Sequence, residues 1–362
     1  MVALSDQIVD RRADIRQGDR RARAAKVRVV LILLFFLSVL LGLGWGAAGD
    51  TDVIGALLAR FGIGEASLRD LTIVWDIRMP RVLTAALVGA SLAVAGAVMQ
   101  GLFRNPLADP GLVGVSAGAG LGAVMAIVLG GLLPVAAYTV VGGYLIPVAA
   151  FLGGWVSTLV LYRVATQGGR TSVATMLLAG IALGAVTGAV TGLLVYKADD
   201  NQLRDLTFWS MGSVAGATWA KLLAAGPLIA LALVTAPLLA RALDTLALGE
   251  AVAHQMGVDT QRMKRIAILS VAGSVGASVA ITGGIGFVGI VVPHLLRLLQ
   301  GPEHRMLLPN AALLGAVVLL LADMVSRVAV SPAELPIGIV TAMMGGPFFL
   351  WILLKNRHLL DM

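Results

Sequence analysis

"FRNPLADPGLVGVSAGAG", residues 103–120, interrupts an apolar run with an arginine, an asparagine, two prolines and an aspartate, then resumes in glycine and alanine. Proline has no amide hydrogen and stops a helix from continuing, yet it fits the first turn of a new one. The stretch therefore reads as a turn. Pro106 and Pro110 end one helix, the Asp109–Pro110 pair starts the next, and Arg104 and Asn105 face a polar boundary. The small residues 114–120 then suit a helix that packs closely against neighbours in lipid. The turn is architectural and not a substrate site.

The surrounding composition says which boundary is meant. The 362 residues are 58% hydrophobic and 13% charged, with a mean hydropathy of +0.92. A soluble domain carries roughly 25% charged residues. Apolar stretches run to the C-terminus, which is the pattern of a polytopic membrane protein, not of a signal peptide with a soluble body. Cysteine is absent, which excludes disulfides, thiolate metal sites and cysteine nucleophiles. Much of the net charge of +7 sits in residues 11–28, "RRADIRQGDRRARAAKVR". That segment reads as a positive-inside anchor holding the N-terminus in the cytoplasm, with an anionic-lipid or partner site as the alternative.

Spans of about 20 apolar residues are expected at 29–48, 82–102, 112–132, 138–161, 174–195, 221–240, 266–282, 285–300, 306–325 and 336–354. "TGGIG" (282–286) is the weakest break, and the spans flanking it could be one bent helix. With the N-terminus inside, the inner pieces collect Arg104, Arg163, Arg170, Arg241, Arg262, Lys264, Arg265, Arg305, Lys355 and Arg357. The outer pieces collect Asp50, Asp52, Glu65, Asp70, Asp76, Asp199, Asp200, Asp205 and Glu334. This bias favours ten spans with both termini cytoplasmic. Two regions result: a basic cytoplasmic segment, 1–28, and a single transmembrane domain, 29–362. "GASLAVAGAV" (89–98) resembles "GASVAITGGI" (276–285) at an offset of 187 that also lays Pro106 on Pro293. The offset joins spans of opposite direction, so an inverted five-span repeat is expected. Gly180, Gly184, Gly188 and Gly192 mark one face for close packing, in this chain or against another subunit.

Chemistry is conspicuous by its omissions. The sequence has no GxxxxGK[ST] phosphate loop, and His254, His294, His304 and His358 are scattered without ligand spacing. Asp323 is the main intramembrane acid, too little for an ion relay. The chain thus reads as a transporter component and not an enzyme, powered by a separate subunit. An ion-coupled secondary transporter and a membrane scaffold are the competing classes.

Two regions could meet partners. "LALGEAVAHQMGVDTQRMKR" (246–265) is an amphipathic helix-turn-helix with apolar Leu246, Leu248, Ala251, Val252 and Met256. It suits either a groove on a partner or the membrane interface. "WDIRMPR" (75–81) puts Arg78 and Arg81 outside, against the charge rule, and Arg327 joins them at the outer end of the ninth span. Three arginines at one mouth suggest an acidic partner or an anionic substrate.

The motifs "IRMPR" (77–81), "GAVMQGLFRNPLADPGLVGVSAGAG" (96–120), "LALGEAVAHQMG" (246–257), "GGIGFVGIVVPHLLR" (283–297), "LLLADMVSR" (319–327) and "AELPIGIVTAMMGGPFFLWILL" (333–354) stand in a fixed order. Together they resemble the FecCD-type permeases of iron-chelate, haem and cobalamin ABC importers. The resemblance implies an all-α, type II importer permease fold in the bacterial inner membrane. It also implies a homodimer, two cytoplasmic ATPase subunits that bind ATP and magnesium, and a periplasmic substrate-binding protein. No cofactor of the chain's own and no nucleic acid is implied. By the same resemblance Leu248, Gly249, Glu250, Ala251, Ala253, Met256 and Gly257 belong to the element that enters the ATPase groove. Arg78, Arg81 and Arg327 resemble residues that pair with acids of the binding protein. "LTFWSMGSVAGATW" (206–219) looks most like haem permeases, with ferric siderophore and cobalamin as the other substrates of the family.

Overall fold

The computed structural model describes residues 2–46 and 51–355; Asp50, Arg357 and His358 lie outside them, as do the side chains before Arg20, those of 135–141 and those of Leu353 and Lys355. In chain order the helices are α1 (Val2–Gly44), α2 (Val53–Ala59), α3 (Leu68–Leu71), α4 (Met79–Leu102), α5 (Val115–Leu129), α6 (Val135–Ala165), α7 (Val173–Lys197) and α8 (Asp200–Ser210). There follow α9 (Trp219–Thr235), α10 (Ala240–Leu246), α11 (Glu250–Gln255), α12 (Thr260–Thr282), α13 (Val288–Gln300), α14 (His304–Val328) and α15 (Ile337–Lys355). A two-residue β-hairpin, β1 (Thr166–Gln167) with β2 (Arg170–Thr171), joins α6 to α7.

The ten expected spans fall on α1, α4, α5, α6, α7, α9, α12, α13, α14 and α15. Eight helices among the described residues are long and apolar enough to cross a membrane, and Val288–Gln300 and Ile337–Ile352 are shorter apolar helices. The "TGGIG" break is real: α12 ends at Thr282, and Gly283 and Phe287 take positive φ before α13 begins. Non-helical backbone is tolerated at such depth only when protein covers it, and here the Ser213 N–H donates to the Thr282 carbonyl at 2.7 Å. Residue 28, in contrast, marks no break, because α1 runs through it.

The 103–114 turn forms as its sequence dictates. Asp109 Oδ1 accepts from the Gly111 N–H at 2.7 Å and caps a 3-10 turn over Pro110–Val113. Burial pushes the Asp109 carboxyl up, against the lowering effect of that hydrogen bond. Gly114, at φ 76°, swings the chain into α5. Two hydroxyls of α6 satisfy carbonyls the turn leaves open: Ser157 donates to Gly114 O at 2.8 Å and Thr158 to Val113 O at 3.2 Å. Arg104 and Asn105 are exposed, as their chemistry demands.

The core is built around α4, whose side chains from Val82 to Leu102 are almost all buried. A methyl group on Gly89 would overlap the Gly315 carbonyl of α14, and one on Gly96 would overlap the Gly289 carbonyl of α13. The halves interlock: α14 packs on α4, and α6 packs on α12. In each half a buried helix is followed by a short one (α5, α13) and then a long one (α6, α14). This supports the inverted repeat but not all of its alignment. Pro106 lies in a turn whereas Pro293 lies inside α13, so the two are not equivalent.

Gly96→Ala should lower the thermal midpoint of the detergent-purified protein, with an overpacking cost on the order of 1–3 kcal/mol. Gly346→Ala, where nothing lies near the added methyl, should leave the midpoint unchanged. Equal midpoints for the two variants would refute the close α4–α13 crossing.

Candidate functional sites

The outer arginines gather, but not as an exposed rim. Thr72–Arg78 forms a π-helix that runs straight into α4, so Arg78 and Arg81 sit on a helix and not on a loop. Arg78, Arg81 and Arg327 are only 4%, 7% and 5% exposed. Arg81 Nε donates to Asp323 Oδ1 at 2.9 Å, and its Nη1 donates to Glu334 Oε1 at 2.9 Å. Arg327, one turn beyond Asp323 on α14, binds the other carboxylate oxygen. Its Nη1 also donates to Gly42 O at 2.9 Å, while Arg78 Nη1 donates to Leu43 O at 2.6 Å and Gly44 O at 3.0 Å. These are carbonyls from the last turn of α1 and its end, where a helix runs out of internal donors and its dipole favours cations. The expectation of three guanidiniums lining the outer mouth is thereby corrected. Their charge is used internally, clasping the ends of α1, α4 and α14. Only Glu334 is half exposed.

Asp323 thus lies between two guanidiniums, those of Arg81 and Arg327. The sequence reading took Asp323 only as the main intramembrane acid and turned the arginines toward an outside partner, so it missed this pairing. Local reading could not join Arg81 to a partner 242 residues away.

At the opposite end, the 246–265 stretch is the expected pair of helices around a turn. Leu246 is buried and anchors α10, whereas Leu248 is 64% exposed, and Val252 and Met256 are also exposed. Ala251 joins that exposed face, and Ala253 is fully buried beneath it. Gly249 and Gly257 bracket α11 at φ 111° and 79°, a region where a side chain would be strained. Beside the turn lies a cavity of about 570 Å³ whose lining includes Leu248, Met256, Arg241, Asp244, Glu303 and Arg305. Glu250 does not point to this surface alone: its Oε1 accepts from Lys264 Nζ at 2.7 Å. Lys264 was read as an ordinary cytoplasmic charge, yet it is 1% exposed. Nothing in its spacing announces that burial.

Removing one partner of a buried ion pair costs about 3–5 kcal/mol, because the other charge stays behind. Asp323→Asn should therefore lower thermal stability by about that much and reduce the amount of inserted protein. A variant as stable as wild type would sink the clasp.

Comparison with known proteins agrees with this architecture. The FecCD transport family matches residues 30–355. The chain is 44% identical over 332 residues to the hemin transport system permease protein HmuU of Yersinia pestis, covering 91% of this chain and 97% of that one. It is 42% identical over 335 residues to the vitamin B12 import system permease protein BtuC of Citrobacter koseri, covering 92% and 94% respectively. Among solved structures, an inward-facing metal-chelate type ABC transporter superposes with a TM-score of 0.79 at 32% identity, over 91% of this chain and 99% of its own. With one family matched from the first span to the last, and permeases aligned over nearly their whole length, the chain belongs to the FecCD transport family.

Proposed function

We propose that this chain is the permease subunit of an ATP-binding-cassette importer that carries haem from the periplasm to the cytoplasm. The observation that carries the reading is the turn around α11. Apolar Leu248, Val252 and Met256 are held out from the body by two left-handed glycines, beside a cavity with charged walls. A helix that presents anchors to a groove is a common docking device, and a transporter without its own phosphate loop needs one. The partner in this reading is a pair of ATPase subunits that bind ATP and magnesium.

The substrate follows from relatedness to the hemin permease; cobalamin and ferric siderophores are the alternatives, the first favoured by the vitamin B12 permeases. Two copies of the chain would enclose the pathway. Gly184, Gly188 and Gly192 have nothing packed on them within the subunit, and Gly184 and Gly188 line a cavity of about 440 Å³ with Ser116, Gly120 and Thr187. At the outer end, a substrate-binding protein would dock over the arginine cluster and meet Glu334 and the Arg81 guanidinium behind it, not three free arginines.

In proteoliposomes, hemin uptake should require ATP, the ATPase and the binding protein, and should ignore a collapsed proton gradient. Uptake that survives without the ATPase would refute the importer reading; uptake of cobalamin but not hemin would change the substrate alone. Reporters fused after residues 28 and 355 should read cytoplasmic and one at residue 65 periplasmic, as the charge bias of the loops requires.

A further inference from the structure

We propose that Lys264 is the positioning residue that ties the turn around α11 to both halves of the transmembrane domain, so that one displacement of the turn moves both. The inference rests on the coupling role proposed above. Lys264 lies in the second turn of α12, the first buried helix of the second half. Its Nζ donates to Glu250 at the start of α11 at 2.7 Å and to the Thr171 carbonyl at 2.8 Å. Thr171 belongs to the β-hairpin between α6 and α7, in the first half. One ammonium thus joins the consecutive helices α11 and α12 to a hairpin 93 residues back in the chain.

Its neighbours tighten the same joint. Gln261 Oε1 accepts from the Thr171 N–H at 2.8 Å, and Arg265 Nε donates to the Tyr162 hydroxyl at 3.2 Å. The hairpin is therefore fixed to the first turns of α12. The turn around α11 is not fixed in that way. Its backbone hydrogen bonds are local, its ends are left-handed glycines, and among the described residues Glu250–Lys264 is the one ion pair that α11 makes. A buried ammonium cannot cheaply give up its carboxylate. When a partner moves α11, the ammonium must follow Glu250, and α12 and the hairpin follow the ammonium. A simple prop would need none of this directionality: it would hold the protein together but would not set how much substrate crosses per ATP.

The test uses the complete importer in proteoliposomes, with hemin or cyanocobalamin as probe, whichever the wild type takes up. Lys264→Met keeps the length of the stem and removes the charge. The ATPase should still copurify, hydrolysis should stay within about threefold of wild type, and substrate moved per ATP should fall about tenfold, the scale of a lost charge-assisted bond. Lys264→Arg should restore most of the ratio. Glu250→Gln, which leaves the Thr171 carbonyl in place, should give an intermediate ratio. A wild-type ratio in Lys264→Met overturns the inference, as does a parallel fall of hydrolysis and uptake at constant ratio. If Lys264→Met does not insert, Glu250→Gln decides, and an unchanged ratio there overturns it equally. A wild-type importer with no ATP-dependent uptake would instead sink the proposed function.

Discussion

The contact on which the fold depends is the crossing of α4 with α14 and α13 at glycine. In lipid there is no hydrophobic drive to bring helices together, and close backbone approach supplies the packing instead. At Gly89–Gly315 and Gly96–Gly289 the helices meet with no room for a methyl group. That closeness decides what happens at the outer end of the same helices. Arg78, Arg81 and Arg327 are buried there, where a free charge is expensive. Asp323 between two of them, and the terminal carbonyls of α1, answer that cost. The arginine cluster is thus a consequence of tight packing as much as a feature in itself.

Both ends of the molecule obey the same rule. Each has a deeply buried charge with one near partner and one distant one: Asp323 of α14 with Arg327 and with Arg81 of α4, Lys264 of α12 with Glu250 of α11 and with Thr171 of the β-hairpin. Among the exposed residues at the two ends are Leu248, Val252 and Met256 on one side and Glu334 on the other.

Much of this was legible in the sequence. Apolar length placed ten spans, and the prolines and Asp109 located the 103–114 turn, because these signals are local. The helix pair around Gly249 and Gly257 was also legible, since amphipathic spacing and glycine punctuation are local too. What failed was solvent exposure. Charge bias tells which side of a membrane a residue is on, but not whether another helix covers it. Arg78 and Arg81 were placed at an open mouth because the helix carrying them starts earlier than hydropathy suggests, at Leu68, with its first turns widened into a π-helix. Lys264 was misjudged for the same reason: its partners are Glu250, 14 residues away, and Thr171, 93 residues away.

The separation of Arg81 from Asp323 also bears on how the protein is made. At roughly 5–20 residues per second, the 242 residues between them take on the order of 10–50 s to synthesise. For that interval α4 is inserted with its guanidiniums unneutralised and its glycine faces uncovered, because α13 and α14 do not yet exist. Of the partners seen in the folded chain, only the α1 carbonyls that accept from Arg78 are already made at that stage. The late arrival of α14 brings the glycine contact and the carboxylate on one helix, so neither can form before it.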